Sequence, residues 1–550
     1  MKYGVNSIFT KKKCRNTKNV RSVTMKKLLA MLLALVMVLS LAACGTTPAE
    51  PEEPEVPAEP ETPAEPETPA EPETIHLERD DWADDVKKAV NDFVDTYGNT
   101  ENAYVVFDFD NTTSIFDVEE QLAVYQLQVM AFAFTPEEIP AILATDIAQD
   151  LENGMDTDLT EYGYGNGSYN DWIADITAAY TYLYETYGPF TAAGLDADAQ
   201  ATIQADPQWA EFATKMRAMY DLVYDAESPA VAYPWVLYWF TGMTEQEVYD
   251  LGYASHSLYG AVETSKETWT SPADIESKVG VVEYKWTSGT GVSANLVELY
   301  KVLDENNIDV WVCSASAIDP IRAAVDAYGL HDYVTGVIAM ARTLDENGKY
   351  VNSYDYENGC GWMIVDGEWV KDTLPLGAQT QGVGKVEAIN AAIYRKYGVG
   401  PLDGCMASTG AFTYCTEYEN LKLVINFNRA NRKPKDGGGI ISAIAVYQKD
   451  TLGYDLATAN AAGDTYYVLQ GREENGLRGL RASNATMLLG ATEEKLLAND
   501  DVQALIQYMI DNNMTTADAI NLFAIKGAEE PIFDFSYGCV KTYACYHNIK

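Results

Sequence analysis

The stretch Ala103-Tyr-Val-Val-Phe107, followed directly by Asp108-Phe-Asp110-Asn-Thr112, decides the fold prediction. Residues 103–107 form a short apolar run of the kind that a buried parallel strand makes. Asp108 and Asp110 lie two residues apart at the carboxyl end of this predicted strand. Because open α/β sheets place their ligand sites at the carboxyl ends of the strands, the stretch predicts both a core strand and one edge of a functional site.

Further apolar runs follow and alternate with helix-like segments. Strand patterns recur at residues 308–313, 334–340 and 421–427. Ser316 fits the N-cap of a helix after the first of these runs, and Asp366-Gly367 predicts a hairpin turn. Strands that alternate with helices predict an α/β fold, here a Rossmann-like parallel sheet with helices on both faces.

The chain between the first two motifs is too long to be a loop. Roughly 190 residues separate them, which predicts an inserted, mainly helical cap domain at residues 118–299. The core is then built from residues 75–117 and 300–490. Residues 491–550 are expected to form C-terminal helices and a tail.

The motifs in this order resemble those of the haloacid dehalogenase-like phosphatases. The matching residues are Asp108-Phe-Asp110-Asn-Thr112, Ser314 after the second strand, and Lys385 at a helix start. The resemblance spans about residues 103–490, and three segments are most similar to the phosphorylcholine-phosphatase-like branch: DFDNTTSIFDVEEQL at 108–122, YPWVLYWFTGMT at 233–244 and YYVLQGREENG at 466–476.

The resemblance implies a Mg²⁺-dependent phosphatase and a role for each matched residue. Asp108 would be the nucleophile that forms an aspartyl phosphate, and it would also ligate Mg²⁺ together with Asp110. Asp110 would protonate the leaving oxygen and later activate water. Ser314 would bind a phosphoryl oxygen and Lys385 would hold the negative charge. Cations are needed because a phosphate monoester is a dianion that repels a carboxylate.

The predicted cap is rich in aromatic residues within an acidic chain. Cations bind on aromatic faces beside carboxylates, so the expected substrate is a small phosphate monoester such as phosphocholine. Glu119 and Glu120 are predicted to face it, and Thr112 and Trp235 complete the predicted substrate contacts. Core packing is the competing interpretation for most of the cap's rings.

The fourth family motif departs from the pattern. Residues 406–412 read Met-Ala-Ser-Thr-Gly-Ala-Phe, so Ala407 and Ala411 stand where the family has carboxylates. Asp403 lies about four residues, or ~13 Å of strand, upstream, too far to replace them. A bound Mg²⁺ would therefore lack the carboxylate ligand that the fourth motif supplies in the family. Three interpretations stay open: an active phosphatase, an impaired relative that binds a phosphorylated or quaternary-ammonium ligand, and an envelope scaffold without a ligand.

The N-terminal part of the chain is predicted to contain an export signal and an extended spacer. An apolar run of about 14 residues lies between Lys27 and Leu-Ala-Ala-Cys44. The run is shorter than the ~20 residues that a helix needs to cross a bilayer, so an uncleaved helical anchor is the weaker interpretation. Together with the Leu-Ala-Ala-Cys sequence, the run resembles a bacterial lipoprotein signal. Residues 1–43 are then a signal region whose start is Met25, and Cys44 carries the lipid on the extracytoplasmic face of the cell membrane. Residues 44–74, with three PAEPET repeats, predict an extended spacer.

Charge and composition exclude several functions. The chain has 82 acidic and 38 basic residues, a formal charge of −44, which argues against nucleic acid as a partner because a basic face must replace released counterions. With only 4 histidines in the chain, a site built on several imidazoles is excluded. Carboxylates must therefore carry the chemistry.

Overall fold

The fold is taken from a computed structural model that describes residues 74–354, 360–375, 379–406, 414–418, 420–430 and 437–523. The predicted signal region with Cys44, the predicted spacer up to residue 73, Ala407, Ala411 and residues 524–550 lie outside the described residues. Within the described ranges, no helix combines the length and the apolar character that a membrane span requires.

The described elements alternate between strands and helices. The strands are β1 Tyr104–Phe107, β2 Ser114–Ile115, β3 Ser265–Thr270, β4 Glu283–Ser288, β5 Gly291–Val292, β6 Asp309–Ala317, β7 Gly336–Met340, β8 Arg342–Leu344, β9 Tyr350–Tyr354, β10 Cys360–Val365, β11 Glu368–Pro375, β12 Asp403–Met406, β13 Leu423–Asn428, β14 Tyr466–Glu473 and β15 Gly479–Leu480. The helices are α1 Asp84–Tyr97, α2 Val118–Val129, α3 Ile139–Leu143, α4 Tyr169–Tyr187, α5 Ala197–Gln204, α6 Pro207–Ala226, α7 Pro229–Leu237, α8 Glu245–Gly260, α9 Ala294–Glu305, α10 Ile318–Ala327, α11 Val383–Ala388, α12 Arg395–Tyr397, α13 Tyr414–Glu417, α14 Gly437–Tyr447, α15 Leu456–Ala462, α16 Asp500–Asp511 and α17 Thr516–Phe523. A π-helical turn, Ile389–Tyr394, joins α11 to α12.

The main sheet has nine strands in the order β11-β10-β7-β6-β1-β12-β13-β14-β15. The six strands from β7 to β14 run parallel. The outer strands β10, β11 and β15 run antiparallel to their neighbours. This arrangement confirms the predicted Rossmann-like α/β sheet, with β1 at its centre and fully buried, as its uninterrupted apolar run predicted.

Helices cover both faces of the sheet, as predicted. On one face, α1, α9 and α10 contribute Phe93, Leu299 and Ile321 to a buried cluster. On the other face, Ile389 after α11 and Ile440 of α14 belong to a second cluster, which also includes residues of α16. These helices pack their apolar residues against the sheet, so both faces of the parallel strands are removed from water.

The long insertion after the first motif has a hydrophobic core of its own. Helices α4, α6 and α7 surround buried rings that include Trp172, Phe212 and Trp239. Helix α9, by contrast, packs with the core cluster beneath the sheet. The insertion is mainly helical, and the strands within residues 118–299 are β3, β4 and β5.

The predicted hairpin at Asp366-Gly367 is confirmed. Strands β10 and β11 pair in antiparallel register around this turn. Both turn residues have positive φ, 53° at Asp366 and 83° at Gly367, which favours this dipeptide. The Arg322 guanidinium of α10 lies 3.7 Å from the ring centroid of Trp362 and so attaches the hairpin to the core.

Candidate functional site

The loop after β1 places Asp108 at the carboxyl edge of the central strand. The Asp108 carboxylate accepts a hydrogen bond from the backbone N–H of Phe109 at 2.9 Å. The Thr113 hydroxyl donates to the Asp108 carbonyl at 2.7 Å. Asn111 adopts φ 60°, a left-handed conformation that asparagine tolerates better than most residues. The loop therefore turns sharply enough to keep both of its aspartates at one edge of the sheet.

Lys385 forms a buried ion pair with Asp108. Its ammonium lies 2.6 Å from Oδ1 of Asp108, and the two side chains are 1% and 6% exposed. Burial alone would lower the pKa of Lys385, but the charge and hydrogen bond of Asp108, together with Cys313 and Asp110, outweigh it, and the pKa is raised. The structure thus brings together two predicted site residues that lie far apart in the chain.

Asp110 is held by donors on both carboxylate oxygens. The Val118 backbone N–H donates to Oδ1 at 2.8 Å, and the Ser316 hydroxyl donates to Oδ2 at 2.6 Å. The Ser314 hydroxyl is 3.4 Å from the same Oδ2. Burial raises the pKa of Asp110 to about 6, against the lowering effect of Ser316 and Val118, while Asp108 raises it further.

Ser316 corrects one prediction and adds a site residue. It was expected to cap a helix, but α10 begins at Ile318 with Ala317 at the N-cap. Strand β6 continues to Ala317, so Ser316 belongs to the strand. The signal for its role is its spacing: side chains two apart on a strand point to the same face, so Ser314 and Ser316 both face Asp110.

A row of carboxylates follows Asp110 along the start of α2. Asp117 caps the helix by accepting from the backbone N–H groups of Glu119 and Glu120, at 3.0 and 2.9 Å. Glu119 accepts from the Ala317 N–H through Oε2 at 3.2 Å. Its Oε1 is buried and has no hydrogen-bond partner within the described residues. Burial, reinforced by Asp110, raises the pKa of Asp117 to about 8.

The predicted contact residues Thr112 and Glu120 lie beside this row. The Thr112 hydroxyl is buried and lacks a partner in the described part of the chain. Glu120 keeps 55% of its side chain exposed and lies 3.5 Å from a nitrogen of Arg217. Its pKa is raised by desolvation and by the neighbouring charge of Asp117.

Trp235 occupies a packing position. Its ring is fully buried in the core of the insertion, 5.8 Å from the ring of Trp239. Its indole N–H donates to the Leu143 carbonyl at 2.8 Å. With no exposed surface and its donor satisfied, Trp235 stabilises the cap, which corrects the expectation of a ligand contact.

Arg472 is a site residue that motif reasoning missed. This buried arginine of β14 donates to the Asn111 carbonyl at 2.8 Å and to Glu474 at 2.7 Å. It reaches the loop after β1 although β12 and β13 lie between the two strands. It therefore helps to hold the left-handed turn between Asp110 and Thr112. Its only sequence signal is its place within the YYVLQGREENG segment.

The hard oxygens available for Mg²⁺ are few. Among the described residues, no three His, Cys, Asp or Glu side chains gather as a metal site would require. Asp403 pairs with Val105 of β1, three residues before Asp108. Because Mg²⁺ often binds one or two carboxylates together with waters and substrate phosphates, Asp108 and the carbonyl of Asp110 fit such an ion when phosphate is present.

Comparison with known proteins supports the α/β fold. No family model matches the chain, and no curated protein does. The chain is similar to a conserved functionally unknown protein from Anaerococcus prevotii DSM 20548, with 25% identity, a TM-score of 0.57, and coverage of 76% of this chain and 99% of that one. Cytosolic 5'-nucleotidase IIIB bound to cytidine matches at 13% identity over 63% of this chain and 78% of that one, with a TM-score of 0.25.

Proposed function

We propose that this protein hydrolyses small phosphate monoesters through an aspartyl-phosphate intermediate, as a haloacid dehalogenase-like phosphatase. The observation that carries the proposal is the buried pair of Asp108 and Lys385, 2.6 Å apart, beside a second carboxylate fixed by two donors. A buried carboxylate paired with a lysine is a suitable nucleophile for phosphorus, because the lysine neutralises part of the approaching negative charge.

In the first step, an Oδ atom of Asp108 attacks phosphorus. The new bond joins that oxygen to phosphorus, and the bond from phosphorus to the ester oxygen breaks. Asp110 gives its proton to the departing alcohol oxygen. A pKa of about 6 leaves a fraction of Asp110 protonated near neutral pH, which is the state that this step requires.

In the second step, Asp110 is a carboxylate and accepts a proton from water. The water oxygen forms a bond to phosphorus, and the bond between phosphorus and Asp108 breaks, which releases inorganic phosphate. Ser316 and the Val118 N–H keep the Asp110 carboxylate in one orientation through both steps. The Ser314 hydroxyl is close enough to the same carboxylate to contact a phosphoryl oxygen bound beside it.

Mg²⁺ is the proposed cofactor. The Asp108 carboxylate and the Asp110 carbonyl would hold it together with substrate oxygens and water. It would supply Lewis-acid neutralisation of the phosphoryl charge. Ala407 and Ala411 favour the second candidate function, a binding protein for a phosphorylated or quaternary-ammonium ligand, because they remove two expected carboxylates.

The cellular setting is also a proposal. We place the enzyme on the extracytoplasmic face of the cell membrane, attached through a lipid on Cys44 and held off by the Pro/Glu spacer. Its partner there is a small-molecule ester, and not nucleic acid. Labelling cells with a fatty-acid analogue tests the anchor: label should enter the wild-type protein and be lost in Cys44→Ser.

The deciding experiment measures phosphate release by the purified protein. The substrates are p-nitrophenyl phosphate, phosphocholine and glycerol 3-phosphate, with and without Mg²⁺. Asp108→Asn should abolish release, whereas Asp403→Asn, a matched change of a buried aspartate on the neighbouring β12, should retain it. Release that survives in Asp108→Asn would refute the mechanism. No release from any ester, together with a ligand-induced rise in melting temperature, would favour the binding protein.

A further inference from the structure

A buried arginine of the cap lies among aromatic rings and carboxylates, the kind of groups that the sequence analysis expected around a ligand cation. The guanidinium of Arg217 lies 4.8 Å from the ring centroids of both Tyr220 and Tyr284. It also lies 2.7 Å from Asp221 and 3.5 Å from Glu120. We call these five residues the cation box. Its two rings and two carboxylates are the groups that hold a quaternary ammonium ion in other proteins, but here the chain supplies its own cation.

The cation box belongs to the candidate active site. Glu120 lies in the first turn of α2, and the backbone N–H of Val118 in that same turn donates to Asp110. One helical turn rises only about 5 Å, so the box lies next to the catalytic carboxylates. A substrate whose phosphate reaches Asp108 would present its alcohol portion to this neighbourhood.

The Arg217 guanidinium is held inside the cation box by its neighbours. Its side chain is 2% exposed, and Asp221 holds it in place. Burial alone would lower the pKa of Arg217, but Tyr284, Asp221 and Glu120 outweigh that effect, so the group stays charged. A ligand cation entering the same box would meet like charge at close range and would find both rings already covered.

The acceptors that remain near Asp110 suit hydroxyl groups. Glu120 keeps more than half of its side chain exposed, and it shares Arg217 with the closer Asp221. Oε1 of Glu119 is buried without a partner among the described residues, and an unpaired buried acceptor is costly unless a donor reaches it. An alcohol with neighbouring hydroxyls could donate to both carboxylates.

We propose that Arg217 determines specificity by excluding quaternary ammonium groups, so that the substrate is the phosphate ester of a neutral, hydroxyl-bearing alcohol. This inference rests on the proposed phosphatase function, and it replaces phosphocholine with the class to which glycerol 3-phosphate belongs. Arg217 is a specificity residue here, and the reacting groups are those already described.

The test compares esters and binding in wild-type protein, Arg217→Ala and Arg217→Lys. Wild-type kcat/KM should favour glycerol 3-phosphate over phosphocholine by about tenfold or more, and Arg217→Ala should shift that ratio towards phosphocholine by a similar factor. Arg217→Lys keeps a cation on the same helix and should keep the wild-type ratio. A wild-type preference for phosphocholine would overturn the proposal.

Calorimetric titration with choline decides the question without turnover. Wild-type protein should give no saturable heat, and Arg217→Ala should bind choline because its box is vacated. Saturable binding by the wild type, or none by a folded Arg217→Ala, would overturn the proposal. If no ester is hydrolysed, the phosphatase function fails but this titration still tests the box. If Arg217→Ala does not fold, the wild-type titration and the ester ratio of Arg217→Lys decide.

Discussion

The ion pair of Lys385 and Asp108 makes a quantitative prediction about stability. The charged atoms are 2.6 Å apart and both side chains are at least nine-tenths buried. With an effective dielectric constant of about 20, their attraction is roughly 6 kcal/mol. Desolvation of both groups offsets part of this, and removing one partner of a buried pair costs about 3–5 kcal/mol. Lys385→Met should lower the free energy of unfolding by that amount, because Asp108 then stays buried beside Asp110.

A double-mutant cycle isolates the pair. The free energy of unfolding in urea is measured for the wild type, Lys385→Met, Asp108→Asn and the double variant. We expect a coupling of about 2–4 kcal/mol. The control cycle uses Lys88 and Asp92, an exposed pair on α1, where about 0.3–0.5 kcal/mol is typical. A coupling at the first pair no larger than at the control would refute the view that Lys385 neutralises the proposed nucleophile.

Three further predictions concern single side chains. Burial lowers the pKa of His256 to about 4 from 6.5. As pH falls below about 6.5, the unfolded chain takes up a proton before the folded chain does, so the folded state loses stability. Between pH 7.5 and pH 5.0, the free energy of unfolding in urea should fall by about 2 kcal/mol less in His256→Gln than in the wild type, and equal losses would contradict this. Ser255→Ala, an adjacent buried change without a titrating group, is the control. Trp235→Phe should lower the free energy of unfolding by about 1–3 kcal/mol, because packing contacts and one hydrogen bond are lost. KM for p-nitrophenyl phosphate should stay near the wild-type value. A large rise in KM would show that Trp235 contacts the substrate after all. Ser316→Ala should lower kcat by about 10–100-fold, because Asp110 loses the hydrogen bond that Ser316 donates to it at 2.6 Å. An unchanged kcat in a phosphate-release assay would show that Ser316 has no role in the site.

Local sequence patterns were sufficient to predict the central strand, the hairpin, and the placement of Asp108 and Lys385 in one candidate site. The apolar run before Asp108 predicted a buried central strand because a parallel strand covered on both faces needs no polar alternation. Asp366-Gly367 predicted its hairpin because both residues tolerate positive φ. Asp108 and Lys385 were paired by motif order, and the structure places them in contact.

The tertiary structure alone decided which side chains meet. Ser316 turns to Asp110 because β6 lies directly beside β1 and continues past the expected helix start. Arg472 reaches the loop after β1 across two intervening strands, a neighbourhood that no local pattern encodes.

The same holds in the cap. Ring content predicted an aromatic environment, but packing placed Trp235 in the core and put Arg217 between two tyrosines. The sequence by itself determined the α/β fold and the strand that carries Asp108 and Asp110 at its carboxyl end, because periodicity and residue type are local properties. The contacts of Ser316, Arg472 and Arg217 were decided by the tertiary structure, because these residues come from helices and strands whose contacts depend on how the whole chain packs.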